Sequence, residues 1–275
     1  MARLRILTLN CWNVSSPYEE RVALIRAGIV ALEPDVIGLQ EIIVRRDGFD
    51  MGAEILDGLG YQTVFGAAFR WSEAGNDLPC DGEGDAFGNL IASRWPIESS
   101  KLFTLPGVEV GERRSVVAAY LTSPEGRLPF LTTHFAWQLQ HGFVRERQAI
   151  ALAALARQWA SAGDLPPVIT GDLNAEPDAA EIRYLCGLQS LAGGSTYFQD
   201  AWRLAGDGGP GHTWDNANGY AAHCFEPNRR IDYVLVGAPD AVGRGAIESA
   251  RVVLNEPRAG VFPSDHFGVL ADVRV

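Results

Sequence analysis

Short apolar runs of strand length recur from RLRILTL near the start of the chain to FGVLADVRV at its end, and they outnumber the helical stretches. Several neighbours are joined by connections too short to hold a helix. SVVAAYLTS at 115–123 and RLPFLTTHF at 127–135 are separated only by Pro124, Glu125 and Gly126, which is hairpin spacing. Antiparallel strands accept such turns, whereas parallel neighbours need a crossover of about a dozen residues or more. The spacing therefore predicts mixed or antiparallel sheets covered by helices, and argues against a doubly wound parallel sheet.

Helical stretches fall between these runs. Ser16 and Pro17 supply an N-cap and a first-turn proline, Val22, Ile25, Ile29 and Leu32 form one apolar stripe, and Glu33-Pro34 is the stop. Further helices are expected at about 49–58, 143–160 and 178–187, with loops from there to Asn228. VIGLQ at 36–40, the segments 61–66 and 88–94, and PPVITGDLN at 166–174 read as strands. IDYVLV, AIESARVVL and FGVLADVRV read as three closing strands. Residues 70–87, rich in glycine and acid, read as a long surface loop. Asp81, Glu83 and Asp85 alternate within it, but the later ligands of an EF-hand are missing, so solvated acids are expected there.

The 275 residues are 47% hydrophobic and 21% charged, which suits a sizeable core. No linker interrupts the chain, so one domain over residues 1–275 is expected. The net charge of −11 repels a polyanion and disfavours broad binding to duplex nucleic acid. Within that acidic balance, three arginine pairs (Arg45-Arg46, Arg113-Arg114 and Arg229-Arg230) suggest a local cationic rim, or else solvated strand ends. Cys11, Cys80, Cys186 and Cys224 have no zinc spacing and read as free thiols. No signal-peptide core and no apolar run near the roughly 20 residues of a membrane span is present, so a soluble cytoplasmic protein is expected.

Carboxylates, amides and histidines stand at the ends of several apolar runs: Asn10 in LTLNCW, Glu41 in GLQE, His134 in TTHF, Asp172 and Asn174 in GDLN, Asp232 in RRIDYVLV, and Asp265-His266 in SDH. Singly, each has a plain structural explanation as a cap, a turn former or an ion-pair partner. Jointly they supply what hydrolysis of a phosphate ester needs: hard oxygen ligands for a divalent cation, an acceptor that orients water, and donors for the charge growing on phosphorus. Glu41 suits the metal and Asp172 the water. Asn174 points to the same side if the strand stays extended through GDLN. Asp232 beside His266 would keep the imidazole protonated.

The ordered set LTLNCW, GLQE, TTHF, GDLN, RRIDYVLV and SDH, spanning residues 8 to 266, resembles the endonuclease/exonuclease/phosphatase superfamily. The resemblance implies a four-layer α/β sandwich: two mixed, mainly antiparallel sheets face to face, helices outside, and the site at one end. It implies Mg²⁺ dependence, with Mn²⁺ as a substitute. It also implies Glu41 as metal ligand, Asp265 as an outer or second-metal carboxylate, and Asn10 as a phosphate-orienting amide. Asp172 would align or deprotonate water with Asn174 as its partner, Asp232 would orient His266, and His266 would stabilise the phosphate. Trp12 stands where abasic-site enzymes often carry an acid. His134 matches a histidine of the deoxyribonuclease, sphingomyelinase and 5-phosphatase branches, a leaving-group acid or phosphate ligand.

The expected activity is hydrolysis of a phosphodiester or phosphomonoester. Alternatives are a nuclease for single-stranded or short nucleic acid, a sphingomyelinase-like lipid phosphodiesterase, and an inactive binding module of the same fold. Trp214, Trp137 and Phe135 are candidate cleft aromatics, and His212 is a further candidate. His141 and His223 read as surface residues.

Overall fold

The computed structural model describes residues 2–72, 77–161 and 163–275. The first half contains β1 (Arg3–Asn10), α1 (Tyr18–Leu32), β2 (Val36–Val44), α2 (Met51–Leu56), β3 (Gln62–Trp71), β4 (Asp77–Leu78), β5 (Asp85–Ser93) and β6 (Ile97–Thr104). A hairpin follows, β7 (Ser115–Ser123) and β8 (Gly126–His134), then α3 (Gly142–Trp159), β9 (Val168–Asp172) and α4 (Ala180–Leu185). The chain closes with β10 (Phe198–Asp200), α5 (Ala201–Ala205), α6 (Gly219–Ala222), β11 (Asp232–Gly237), β12 (Ile247–Val253) and β13 (Gly268–Arg274).

One sheet has the order β12-β13-β1-β2-β5-β3-β4 and the other β10-β11-β9-β8-β7-β6. Each contains one parallel pair, β1–β2 and β8–β9, and the crossover of each pair carries a long helix, α1 and α3. All other ladders among the described residues are antiparallel. The expected sandwich of mixed, mainly antiparallel sheets flanked by helices is thus the observed one.

Three apolar layers hold it together. Between the sheets, Ile6, Val36 and Ile91 meet Val117, Phe130 and Val234. Outside the first sheet, Ile25 and Ile29 of α1 cover Leu7, Leu9 and Leu39, and outside the second, Leu152 and Ala156 of α3 cover Leu131 and Ile169. Burying each of these valine, leucine, isoleucine and phenylalanine side chains contributes about 1.5–3 kcal/mol.

Several local expectations need correction. Pro17, not Ser16, is the N-cap of α1, and no side chain caps that end. The strand at 61–66 runs on to Trp71, and the loop at 70–87 contains β4 and the start of β5, while residues 73–76 lie outside the described residues. β6 was not anticipated, because its mostly exposed IESSKLFT lacks apolar alternation. The stretch before Asn228 contains β10, α5 and α6 rather than loop alone.

Candidate active site

Strand register explains why distant motifs meet. In the second sheet His134 pairs across the ladder with Asp172, and Asp172 with Asp232, forming a row of three neighbours on adjacent strands. The first sheet brings Asn10 at the end of β1, Glu41 within β2, and Asp265-His266 immediately before β13 to the same rim.

Glu41 reaches the rim through a defect. Strict alternation puts residues 40 and 41 on opposite faces. Gln40 faces the other sheet, donating to Thr132 Oγ1 at 3.0 Å, so a regular strand would bury Glu41 beneath the helices. The β2–β5 register shifts between Leu39 and Ile42, and Glu41 takes a left-handed φ of 61°. That bulge turns the carboxylate into the cleft.

A continuous chain of polar contacts follows. Asn10 Nδ2 donates to Glu41 Oε1 at 3.2 Å and to Asp172 Oδ2 at 3.1 Å. His134 Nε2 and His266 Nε2 lie 3.4 and 3.7 Å from that same Asp172 oxygen, and His266 Nδ1 is 2.9 Å from Asp232 Oδ2. The strand ends at Asp172, so the extended path expected through GDLN is replaced by an Asx turn: Asn174 N donates to Asp172 Oδ1 at 2.9 Å, with Asn174 at φ 48°. Asn174 still lines the cleft, its amide donating to Phe135 O at 3.3 Å. All eight sequence-derived residues, Asn10, Glu41, His134, Asp172, Asn174, Asp232, Asp265 and His266, belong to this one assembly.

Burial sets the titration of the site. It pushes the Asp172 carboxyl up to about 6, with His266 opposing and Asp232 adding. Burial likewise raises Asp265 to about 7, with His266 opposing and Glu41 adding. For His266, burial opposes the charged form but Asp232 and Asp172 outweigh it, holding the imidazolium well above the ordinary range. His134 goes the other way: burial, then Arg114 and His266, keep it neutral. The two histidines therefore present different donors, one cationic and one neutral.

Two donor sets are candidates for holding a cation. Asp172, Asp232 and His266 place one ligand atom each within 4.8 Å of one another among the described residues. That proximity reflects the His266–Asp232 hydrogen bond itself, and an imidazolium held by two carboxylates has no lone pair to offer. Glu41 and Asp265 form the better set: both carboxylates line the cleft, and each is close enough for Glu41 to raise Asp265.

Other residues that the sequence reading passed over support these. Asn13 Nδ2 donates to the second Glu41 oxygen at 2.8 Å. Ser264 Oγ donates to Asn10 O at 2.7 Å, and Thr213 Oγ1 accepts from the backbone of Ile231 and Asp232 at 3.1 and 3.2 Å. Arg21, wholly buried, donates to the carbonyls of Cys11, Trp12, Asn13, Ser15 and Pro263 and lies 4.8 Å over the Trp12 ring. Trp214 and Trp137 line the cleft of about 380 Å³, but Phe135 is a core residue. His212 pairs with Asp215 outside the cleft wall, and His141 is half-buried against Glu112 rather than free at the surface. Only part of the expected cationic rim exists, since Arg114 and Arg230 are buried in ion pairs with Glu112 and Asp200. Among the described residues, the acids of the 77–85 segment form no metal-holding group.

All four cysteines are free, and among the described residues no helix is long and apolar enough to cross a membrane. Nocturnin from Rattus norvegicus and from Homo sapiens are each 23% identical to this chain over 267 residues, covering 93% of it but 58% of their own length. The chain thus spans somewhat over half the length of the curated relatives it matches. Among solved structures, the human Nocturnin catalytic domain with bound sulfate anion matches at TM-score 0.71 and 23% identity, over 98% of this chain and 93% of that one. D. rerio TDP2 complexed with single strand DNA product matches at TM-score 0.74 and 19% identity, over 100% of both chains. An endonuclease/exonuclease/phosphatase from Bacteroides vulgatus matches at 0.73 and 18%, again over 100% of both. These likenesses show the fold. The sequence pattern of the Endonuclease/Exonuclease/phosphatase family matches residues 7–266, from the first strand to His266, and the chain belongs to that family.

Proposed function

We propose that the chain is a divalent-metal-dependent phosphoesterase that cleaves a phosphodiester or phosphomonoester by in-line attack of water. The observation that carries this reading is the continuous contact from Glu41 through Asn10 and Asp172 to His266 and Asp232. Glu41 and Asp265 would hold Mg²⁺ or Mn²⁺, with Asn10 and Asn13 fixing the Glu41 oxygens. When bound, the ion would supply neutralisation of charge on the phosphate and the departing oxygen. Asp172, raised to about 6, orients water and takes its proton near neutral pH. His266 and Asn10 hold the non-bridging oxygens, and Asp232 fixes the imidazolium. His134, kept neutral, suits a hydrogen bond to phosphate better than donation of a full proton. Residues 1–275 would act as one domain, and the four free thiols fit a reducing cytoplasm.

The test is metal-dependent release of nitrophenol from bis-p-nitrophenyl phosphate. Asp172→Asn and His266→Ala should each lower kcat by about 10²-fold or more with the fold intact by circular dichroism. Near-normal turnover in both removes these residues from the chemistry, and an inactive wild type with Mg²⁺ and Mn²⁺ leaves a binding module. A nuclease acting on single-stranded or short nucleic acid is the second reading, favoured by the likeness to the TDP2 structure that holds a single strand DNA product.

A further inference from the structure

Five of the six arginines in the three adjacent pairs are already engaged. Arg114 pairs with buried Glu112 at 3.2 Å, Arg229 with Glu226, and Arg230 with both oxygens of Asp200 at 3.0 and 2.8 Å. Arg45 lies 4.8 Å over the Phe49 ring, and Arg46 also has a partner. Arg113 is different: it lines the cleft half-buried, and among the described residues no carboxylate or carbonyl accepts from its guanidinium.

Its backbone is nevertheless fixed. Leu105 N donates to Arg114 O at 2.8 Å and Glu112 N to Gly107 O at 3.0 Å, closing the base of the β6–β7 loop. Glu112 carries both Arg114 and His141 Nδ1, each at 3.2 Å, and so anchors that loop to the segment before α3. Ordering a long cationic side chain on an acidic wall, with no internal partner among the described residues, brings no stability to the empty protein. Glu41, Asp77, Glu226 and Asp265 line the same cleft but none of them pairs with Arg113, whose charge is complementary to an anionic group on a ligand.

Position separates that anion from the scissile phosphate. β7 lies two strands from β9, so Arg113, just before β7, stands roughly 10 Å from Asp172 by strand spacing alone. Resting on the phosphoesterase reading above, we propose that Arg113 is a specificity residue binding a second phosphate next to the scissile one. The substrates this favours are short phosphodiesters bearing one additional phosphate, because the acidic cleft and the net charge of −11 repel a long polyanion.

Three dinucleotides test it: TpT has the scissile phosphate alone, while pTpT and TpTp add one phosphate on either side. With Mg²⁺, the wild type should favour one of the phosphorylated pair by about 10-fold or more in kcat/KM, the scale of a charge-assisted contact. R113Q should collapse that ratio towards one with the loss in KM rather than kcat, R113K should restore part of it, and added salt should weaken it in the wild type. Equal kcat/KM for all three in the wild type, or an unchanged ratio in R113Q, overturns the proposal. Calorimetric binding of the same dinucleotides to D172N reads the subsite without turnover. An inactive wild type together with tighter pTpT or TpTp binding lost in R113Q would sink the phosphoesterase reading alone, whereas equal affinities would sink the Arg113 subsite.

Discussion

Burial pushes the Asp265 carboxyl up to about 7 in the folded chain, with His266 opposing the rise and Glu41 adding to it. A carboxyl raised above its unfolded value holds a proton longer in the folded state, so stability declines as pH climbs from about 4 through 7. Asp265→Asn should therefore raise Tm of the metal-free protein by about 3 °C or more at pH 8, the shift that about 1 kcal/mol produces in a chain of this size. The gain should shrink towards pH 4, where the wild-type carboxyl is protonated too, and a gain that grows on acidification would contradict this account. Arg21 illustrates the opposite case. Its guanidinium satisfies five backbone carbonyls around the loop that carries Asn13, and each carbonyl left bare costs about 1–3 kcal/mol. Arg21→Met should lower the urea midpoint sharply and weaken activity through displaced Asn13 and Glu41; retention of both stability and activity would show the network to be dispensable. Arg21 was legible in the sequence only as one polar residue beside an apolar stripe, because hydrogen bonds to carbonyls leave no side-chain partner to read.

Strands position the chemistry, and their irregular ends aim it. Apolar runs of strand length identified β1, β2, β9, β11 and β13 in the sequence, with Gly171 inside the β9 run. What Gly171 does is set by its neighbour: a Cβ there would stand 2.2 Å from Thr133 O in the parallel strand β8. Gly171→Ala should force β8 and β9 apart, costing about 1–3 kcal/mol in chemical denaturation and misplacing the His134–Asp172 pair. An unchanged unfolding midpoint would refute the close approach. The Glu41 bulge, by contrast, has no sequence signature, since β-bulges depend on the partner strand's register. β6 and β10 escaped detection for a related reason. Edge strands are held by backbone hydrogen bonds on one side, and neither an apolar rhythm nor length is required of them.

At the scale of the molecule, the sandwich brings carboxylates from both sheets to one rim, where burial and, after it, their mutual repulsion disfavour the charged forms. Mg²⁺ at about 100 times its dissociation constant should stabilise the wild type by about 2.7 kcal/mol, measured as a rise in Tm in the absence of substrate. Glu41→Gln should lose most of that rise, and a wild-type Tm indifferent to Mg²⁺ and Mn²⁺ would remove metal from this rim. The sequence by itself determined the strand-rich α/β class, the family and the eight residues that the fold gathers at one rim, because hydrophobic rhythm and short polar motifs are local properties of the chain. Tertiary structure alone decided the turn of Glu41 into the cleft, the neutral state of His134, and the place of Arg113 on the cleft wall. Each of these depends on which groups from remote segments come within a few ångströms, and both burial and Coulomb coupling are properties of that spacing rather than of residue order.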